Sequence, residues 1–225
     1  MTNCAVITPI GPGHEQRWEE CLTSILSAHE YSKGPFSEIK AFPVEDIEGK
    51  LGRSHARNLG VEMAINEGFD WIFFLDADDF MVASAFESVT GLIEEYDAIW
   101  GAIAELSGET AQLRPKQEME IQSFEQLIRI NPFLSLQMGH FVKASIAKDN
   151  PFDESMDTGE DFDYYLKVWA QYRAVKQPLP LFINRRGMHS TGPRSATGEQ
   201  WNRAVSHIIQ HYHRHGKEGI NIPLS

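Results

Sequence analysis

The feature that most restricts the fold is an unbroken apolar run that ends in a cluster of acidic residues. The run is Trp71-Ile72-Phe73-Phe74-Leu75, and Asp76-Ala77-Asp78-Asp79 follows it directly. A strand that is apolar at consecutive positions is typical of the centre of a sheet that is covered on both faces. The pattern therefore predicts a central strand that brings three carboxylates to one edge of a sheet.

Short apolar segments alternate with amphipathic segments around this strand. Predicted strands cover residues 4–10, 39–44, 70–76, 98–104 and 181–184, and predicted helices cover residues 14–29, 54–66, 82–95, 123–130, 159–172 and 198–213. This alternation predicts an α/β fold, a Rossmann-like sandwich with a mainly parallel central sheet and helices on both faces. Because ligands of such sheets bind beyond the carboxyl ends of the strands, we expect the loop after Ile10 and the acidic cluster to share one edge.

Charge and composition exclude several classes of protein. The 225 residues include 32 acidic and 20 basic ones, and this net charge of −12 argues against nucleic acid as a partner. Cys4 and Cys21 form no disulfide or zinc-binding pattern. The sequence contains neither a signal peptide nor an apolar stretch that could span a bilayer, so we expect a cytoplasmic chain, free in solution or peripheral to the membrane.

The three aspartates favour a metal site. Carboxylates this close raise one another's pKa, and a divalent cation such as Mg²⁺ or Mn²⁺ would remove that repulsion while bridging to phosphate oxygens. A simpler alternative is that Asp78 and Asp79 cap a helix that begins near Val82.

Two ordered motifs resemble the family 2 glycosyltransferases of the GT-A fold. They are Gly52-Arg53-Ser54-His55-Ala56-Arg57-Asn58-Leu59-Gly60 and the run from Trp71 to Asp79, and the resemblance covers roughly residues 4–10 and 50–190. It implies an enzyme that transfers sugar from a nucleoside diphosphate donor with inversion, using Mn²⁺ or Mg²⁺. By the same resemblance Asp76 faces the donor's ribose or sugar, Ala77 lies in the donor site, and Asp78 binds the metal.

A third match is the segment from Thr158 to Lys167, which resembles the family's Glu-Asp motif at the start of a helix. Direct displacement requires a base that removes the proton of the attacking hydroxyl. The resemblance implies that Asp161 is this base and that Glu160 belongs to the donor site. The alternative is an ordinary acidic first turn of a helix.

A fourth match, Asn184-Arg185-Arg186-Gly187-Met188-His189-Ser190, resembles the family's late Arg-x-x-His segment. There His189 would complete the metal site and Arg186, with Arg185 or Arg194, would neutralise the diphosphate. An exposed basic loop is the alternative.

The sequence departs from the family pattern after the second predicted strand. The usual Asp-Asp-Gly-Ser element, whose first Asp contacts the base, is replaced by Glu45-Asp46-Ile47-Glu48-Gly49-Lys50. Asp46 or Glu45 would then contact the nucleotide's base instead, and this departure leaves the identity of the nucleotide undetermined. The remaining residues expected to line the nucleotide pocket are Thr8, Pro9, Ile10, Arg53 and Arg57.

We expect one domain with three parts: a nucleotide-sugar-binding half (1–105), an acceptor and catalytic half (106–197), and a C-terminal helix and tail (198–225). The acceptor, which the sequence does not identify, can be a glycan, a small molecule, a lipid-linked sugar or a protein. His207, His211 and His215 share a helical face, but we expect a solvated helix there rather than a metal site. A nucleotidyltransferase of related fold and a non-catalytic nucleotide-sugar-binding module remain alternative functions.

Overall fold

The structure is a computed structural model that describes residues 2–185 and 198–224. The strands are β1 (Thr2–Ile10), β2 (Phe36–Glu45), β3 (Trp71–Phe74), β4 (Phe80–Met81), β5 (Ala98–Ser107), β6 (Thr110–Leu113), β7 (His140–Lys143) and β8 (Ala174–Asn184). The α-helices are α1 (Glu15–Tyr31), α2 (Arg53–Asn66), α3 (Leu92–Glu95), α4 (Phe124–Leu127), α5 (Pro132–Ser135), α6 (Ala144–Asp149), α7 (Glu160–Gln171) and α8 (Gly198–His215). Short 3₁₀ turns cover Glu87–Val89 and Gly216–Asn221.

The eight strands form a single sheet in the order β2-β1-β3-β7-β5-β8-β4, with β6 paired to β5. Strand β1 is parallel to β2 and β3, and β5 is parallel to β8. Strand β7 lies antiparallel between β3 and β5, while β4 and β6 are antiparallel to their neighbours. The predicted α/β fold is confirmed, but the sheet is mixed rather than mainly parallel because β7 enters its centre in the opposite direction.

Helices cover both faces of the sheet, as predicted. Alternate residues of β3 point to opposite faces, so Ile72 and Phe74 pack with α2, α6 and α7, whereas Trp71 and Phe73 pack with α1. All four side chains are buried, as expected for a central strand. The end of β3 is therefore held rigidly from both sides.

The predicted helix over 82–95 is wrong. The backbone N–H of Val82 continues the sheet by donating to Leu181, and Gly91 adopts a left-handed conformation with φ 84°. Only the turn Glu87–Val89 and the short helix α3 form in this segment. With no helix beginning near Val82, the alternative in which Asp78 and Asp79 serve as its caps is also removed.

The C-terminal helix α8 is more tightly packed than predicted. His207, His213 and His215 are exposed, but His211 is buried and its Nε2 lies 2.8 Å from the carbonyl oxygen of Gly219. This histidine therefore joins α8 to the 3₁₀ turn that follows it. Within residues 2–185 and 198–224, no helix is long and apolar enough to cross a membrane.

Candidate active site

The end of β3 and the end of β1 lie side by side, as predicted. The N–H of Leu75 donates to the carbonyl of Ile7 at 3.0 Å. Thr8 and Ile10 are buried, while Pro9 between them is partly exposed. The acidic cluster therefore leaves the sheet beside the last turn of β1, where a parallel sheet places its ligands.

Each aspartate after β3 has a different set of partners. Asp76 accepts a hydrogen bond from Nη2 of Arg57 at 2.8 Å. Asp79 is buried and accepts from the amide of Arg185 at 2.9 Å and from Nδ2 of Asn184 at 3.1 Å, so it fixes the end of β8. Asp76 and Asp79 thus bind other parts of the protein, which their positions in the acidic cluster do not reveal.

Asp78 differs from Asp76 and Asp79 in its side-chain contacts. Among the residues that the structure describes, no other side chain forms a hydrogen bond or ion pair with Asp78, although it is 8% exposed. Burial and the charge of Asp76 raise its pKa, while the positive charges of His14 and Arg185 act in the opposite direction. Such a carboxylate is suited to a divalent cation, which would offset its lost hydration.

His14 was not singled out from the sequence. It lies between β1 and α1, close enough to affect the pKa of Asp78, and its Nε2 is buried with no hydrogen-bond partner among the described residues. The position of His14 in the loop directly after the first strand, where ligands of this sheet are expected, could have identified it as a candidate site residue.

Arg57 lies between the two acidic motifs. Its guanidinium is buried, with Nη2 on Asp76 and Nη1 3.4 Å from Oε1 of Glu160. Arg53, one turn earlier on α2, places Nε 2.5 Å from the same oxygen and donates through Nη2 to the carbonyl of Asp157. The structure thus brings Arg53, Arg57, Asp76 and Glu160 together.

Asp161 follows Glu160 in the first turn of α7 and is partly buried. Loss of hydration, followed by the negative charge of Glu160, raises the pKa of Asp161 to about 7. Arg53, Arg57 and the backbone N–H of Phe162 oppose that rise. A carboxylate with a pKa near neutrality is well matched to proton abstraction.

Asp46 has a structural task at the end of β2. Its backbone N–H donates to the carbonyl of Ile10, and its carboxylate accepts from the amides of Lys50, Leu51 and Gly52 at 2.9, 3.2 and 2.8 Å. This carboxylate therefore shapes the short loop that replaces the family's longer element. Glu45 beside it is exposed.

Helix α2 also holds the segment that precedes α7. Asn58 donates through Nδ2 to the carbonyl of Phe152 and accepts from its N–H, both at 2.9 Å. Nδ2 also contacts Glu154, whose other carboxylate oxygen lies 3.0 Å from Nδ1 of His55. The sequence analysis did not identify this role of Asn58, although its place in the same motif as Arg57 was the available signal.

The late basic motif is described only at its start. Arg185 stacks over the ring of Phe80, with the centre of its guanidinium 4.1 Å from the ring centroid, and donates to Glu20 on α1 at 2.6 Å. The predicted diphosphate residues Arg186 and Arg194 and the predicted metal ligand His189 lie outside the described residues. Tyr165 and Trp169, two aromatic residues of α7, are buried in the hydrophobic core.

Comparison with known proteins decides the family. The sequence matches the model of glycosyl transferase family 2 over residues 19–150, which is more than half of the chain. The chain belongs to glycosyl transferase family 2. The family resemblance seen in the sequence is thereby confirmed. Sequence comparison with curated proteins gives no significant match.

Solved structures confirm the fold of this family 2 domain. Residues 1–349 of S. aureus TarS, in complex with UDP-GlcNAc, align with a TM-score of 0.65 and 16% identity, covering 93% of this chain and 65% of that one. The domain covers 39% of the longer TarS structure. GalNAc-T7 with UDP, GalNAc and Mn²⁺ aligns with a TM-score of 0.58 and 12% identity, covering 100% of this chain and 52% of that one. The domain therefore spans about two thirds or less of these proteins.

A metal ion would need ligands from more than one source. The described part of the chain contains no group of three or more His, Cys, Asp or Glu side chains that could hold a metal ion by itself. Mg²⁺ and Mn²⁺ often bind through one or two carboxylates and complete their shell with substrate phosphates. The carboxylate of Asp78, which pairs with no other side chain of the described residues, fits this kind of site.

Proposed function

We propose that this domain transfers a sugar from a nucleoside diphosphate donor to an acceptor hydroxyl, with inversion at the anomeric carbon and with Mn²⁺ or Mg²⁺. The observation that carries the proposal is the family match together with two acidic motifs joined by one buried arginine. TarS and GalNAc-T7, which share the fold, were solved with UDP-containing ligands. Residues 1–105 would form most of the donor half and residues 106–197 most of the acceptor and catalytic half.

The donor would lie over the carboxyl ends of β1 and β3. Pro9, the loop that Asp46 shapes, and Ala77 would line its nucleotide and ribose, with Thr8 and Ile10 supporting them from the core. Arg53 keeps 43% of its side chain exposed and can therefore approach the diphosphate. The screen described below is designed to identify the nucleobase.

Asp78 would hold the metal, and a divalent cation bound there would stabilise negative charge on the leaving diphosphate. The Mn²⁺ in the GalNAc-T7 structure supports this part of the proposal. Arg186 and His189 would supply further contacts to the diphosphate and to the metal.

Asp161 would act as the base. It would take the proton of the acceptor hydroxyl while that oxygen attacks the anomeric carbon and the bond to the diphosphate breaks on the opposite side. The electron pair of the broken bond leaves with the nucleoside diphosphate, so a single displacement inverts the anomeric configuration. The pKa of about 7 supports this role because the carboxylate can both ionise and accept a proton near neutral pH.

The test is a thermal-shift screen of UDP, GDP, ADP, CDP and their sugars, each with Mn²⁺, Mg²⁺ or EDTA. We expect metal-dependent stabilisation by one nucleotide class, followed by slow hydrolysis or transfer of the matching sugar. NMR of the first sugar product then reports the anomeric configuration. Stabilisation by a nucleotide sugar without turnover, across a broad panel of acceptors, would instead favour a binding module. Retention of configuration would contradict the single displacement.

A further inference from the structure

Arg57 is the most enclosed of the described arginines near the site, ahead of Arg185 and Arg53. Its side chain is 4% exposed, and its guanidinium lies 5.2 Å from the ring centroid of Phe152. Two of its nitrogens point at carboxylates, Asp76 at 2.8 Å and Glu160 at 3.4 Å. A guanidinium held in this way has little surface left for a nucleotide.

The two carboxylates belong to opposite ends of the proposed reaction. Asp76 is the first acidic residue after β3, on the donor side. Glu160 is the first residue of α7, and the proposed base follows it directly in the chain. Although Asp76 and Glu160 are 84 residues apart (160 − 76), one guanidinium bonds both of them.

Arg53 provides the contrast that defines this role. It contacts the same oxygen of Glu160, yet 43% of its side chain is exposed, compared with 4% for Arg57. Glu160 itself is 1% exposed and lies between these two cations. Arg53 can therefore serve both Glu160 and a ligand, whereas Arg57 connects protein groups to each other.

We propose that Arg57 is a positioning residue that fixes the base Asp161 relative to the donor site by tying Glu160 to Asp76, rather than a residue that binds the nucleotide. This inference rests on the proposed glycosyl transfer for its kinetic consequences. The planar fork of arginine matters here because it offers separate N–H groups to two carboxylates in a fixed geometry, which a lysine ammonium cannot do. Arg57 thus sets the distance between the base and the donor.

The same arginine also contributes charge. The groups that act on the carboxyl of Asp161 are Glu160, Arg53, Arg57 and the amide of Phe162, and Tyr165 lies one turn further along α7. Arg53 and Arg57 lower the pKa of Asp161, against the effects of burial and of Glu160. A neutral residue at position 57 therefore removes both the link between Asp76 and Glu160 and one positive charge, whereas lysine removes only the link.

The experiment compares Arg57→Lys and Arg57→Gln with Arg173→Gln, an exposed arginine that pairs with Asp97. The substrate is the nucleotide sugar selected by the screen above, starting with UDP-GlcNAc, and binding is measured separately with UDP. For Arg57→Lys we expect kcat to fall about 100-fold because the base is misplaced, while the donor KM and UDP binding stay near parental values. Arg173→Gln should match the parent in both quantities.

The pH profile separates charge from position. Arg57→Gln should move the rising limb of kcat to higher pH, because Asp161 loses a neighbouring cation and ionises later. Arg57→Lys should leave the limb closer to its parental position. In a Glu160→Gln background, Arg57→Lys should reduce kcat by a smaller factor than in the parent, since the connection through Glu160 is already weakened.

A readout without turnover tests the structural part of the proposal. Hydrogen exchange of the amides in residues 160–163 should be faster in Arg57→Lys than in the parent or in Arg173→Gln. Parental exchange in Arg57→Lys would overturn the connection even if no donor is ever turned over. An inactive parent with faster exchange in the variant would contradict the proposed function and leave the connection supported.

Kinetics supply the second way to overturn the proposal. If Arg57→Lys weakens UDP binding and raises the donor KM while kcat is unchanged, Arg57 is a nucleotide-binding residue. Equal fold-losses for Arg57→Lys in the parent and in Glu160→Gln would show that Arg57 does not act through Glu160.

Discussion

The two acidic clusters of this domain place similar residues in opposite electrostatic settings. Asp76, Asp78 and Asp79 follow β3, while Glu160 and Asp161 begin α7. In each cluster some carboxylates hold the protein together: Asp76 and Asp79 bind Arg57 and the end of β8, and Glu160 binds two arginines. In each cluster one carboxylate, Asp78 or Asp161, is the residue proposed above for the chemistry.

The difference lies in how the remaining charge is balanced. Around Asp161, two arginines partly offset the effects of burial and of Glu160 on its pKa. Around Asp78, the charge of Asp76 adds to the effect of burial on the pKa, and the charges of His14 and Arg185 oppose it. Under the proposed function, a divalent cation would therefore serve the first cluster, whereas two arginines already lie beside the proposed base in the second.

The largest effect should come from removing the proposed base. Asp161→Asn keeps the size of the side chain but cannot accept a proton, so we expect kcat to fall by about 10²–10⁴-fold while UDP binding is retained. Steady-state transfer and calorimetric titration with UDP measure the two quantities. Asp149→Asn, which makes the same change at an exposed carboxylate at the end of α6, is the matched control. Transfer at the parental rate by Asp161→Asn would assign the base elsewhere.

The next largest loss of activity should come from replacing Asp78, the carboxylate proposed to hold the metal. Asp78→Asn should reduce transfer by about 10²–10³-fold and, unlike Asp161→Asn, should also weaken UDP binding in the presence of Mn²⁺. Titration of UDP with Mn²⁺ and with EDTA checks this. If Asp78→Asn binds UDP with the same metal dependence as the parent, the contrast between the clusters fails.

The pH dependence should report the second cluster. Because the base must be ionised, and the pKa of Asp161 is raised to about 7, transfer should rise as pH increases through about 7. Below that value the rate should fall about tenfold per pH unit, since the ionised fraction falls in that proportion. A kcat profile at constant ionic strength measures it. A flat profile from pH 5 to pH 8 would contradict the assignment.

The smallest effect should be on stability, through a carboxylate with an internal role. Asp79→Ala leaves the partly buried donors of Asn184 and Arg185 without their buried acceptor, so we expect a loss of about 1–3 kcal/mol in the free energy of unfolding. Urea denaturation measures it. Asp70→Ala is the control, because exposed Asp70 accepts a single backbone bond from Asn3, and it should cost less. Equal losses would show that Asp79 has no special structural role.

Patterns that are local in the sequence predicted local structure well. The apolar alternation located β1, α1, α2 and β3 to within a few residues, and the motif spacing led to the family. The failures involve distant partners. The segment that begins at Val82 has helical spacing, but the backbone N–H of Val82 donates to the carbonyl of Leu181. Strand β7 was not predicted, and it is paired on both sides with strands that are distant in the sequence, β3 and β5.

The same limit applies to the site. The sequence indicated which acidic residues belong to it, but not which partner each one has. Arg57 and Glu160 are 103 residues apart, and their contact depends on α2 and α7 packing on one face of the sheet. Asp46 or Glu45 was expected to contact the nucleotide's base, and that contact stays a prediction, but the sequence did not show that the carboxylate of Asp46 binds three amides of its own loop. Such assignments require the folded chain.

The pair of hydrogen bonds between Asn58 and Phe152 has a consequence for which changes the segment before α7 tolerates. At position 152 Asn58 contacts only the backbone N–H and carbonyl, in the manner of a neighbouring strand, while its Nδ2 also contacts the side chain of Glu154. An attachment made through the main chain is indifferent to the side chains that follow it. Apart from Glu154, whose carboxylate shares in the attachment, the side chains between position 152 and α7 can therefore change without loss of these hydrogen bonds, and the start of α7 keeps its place.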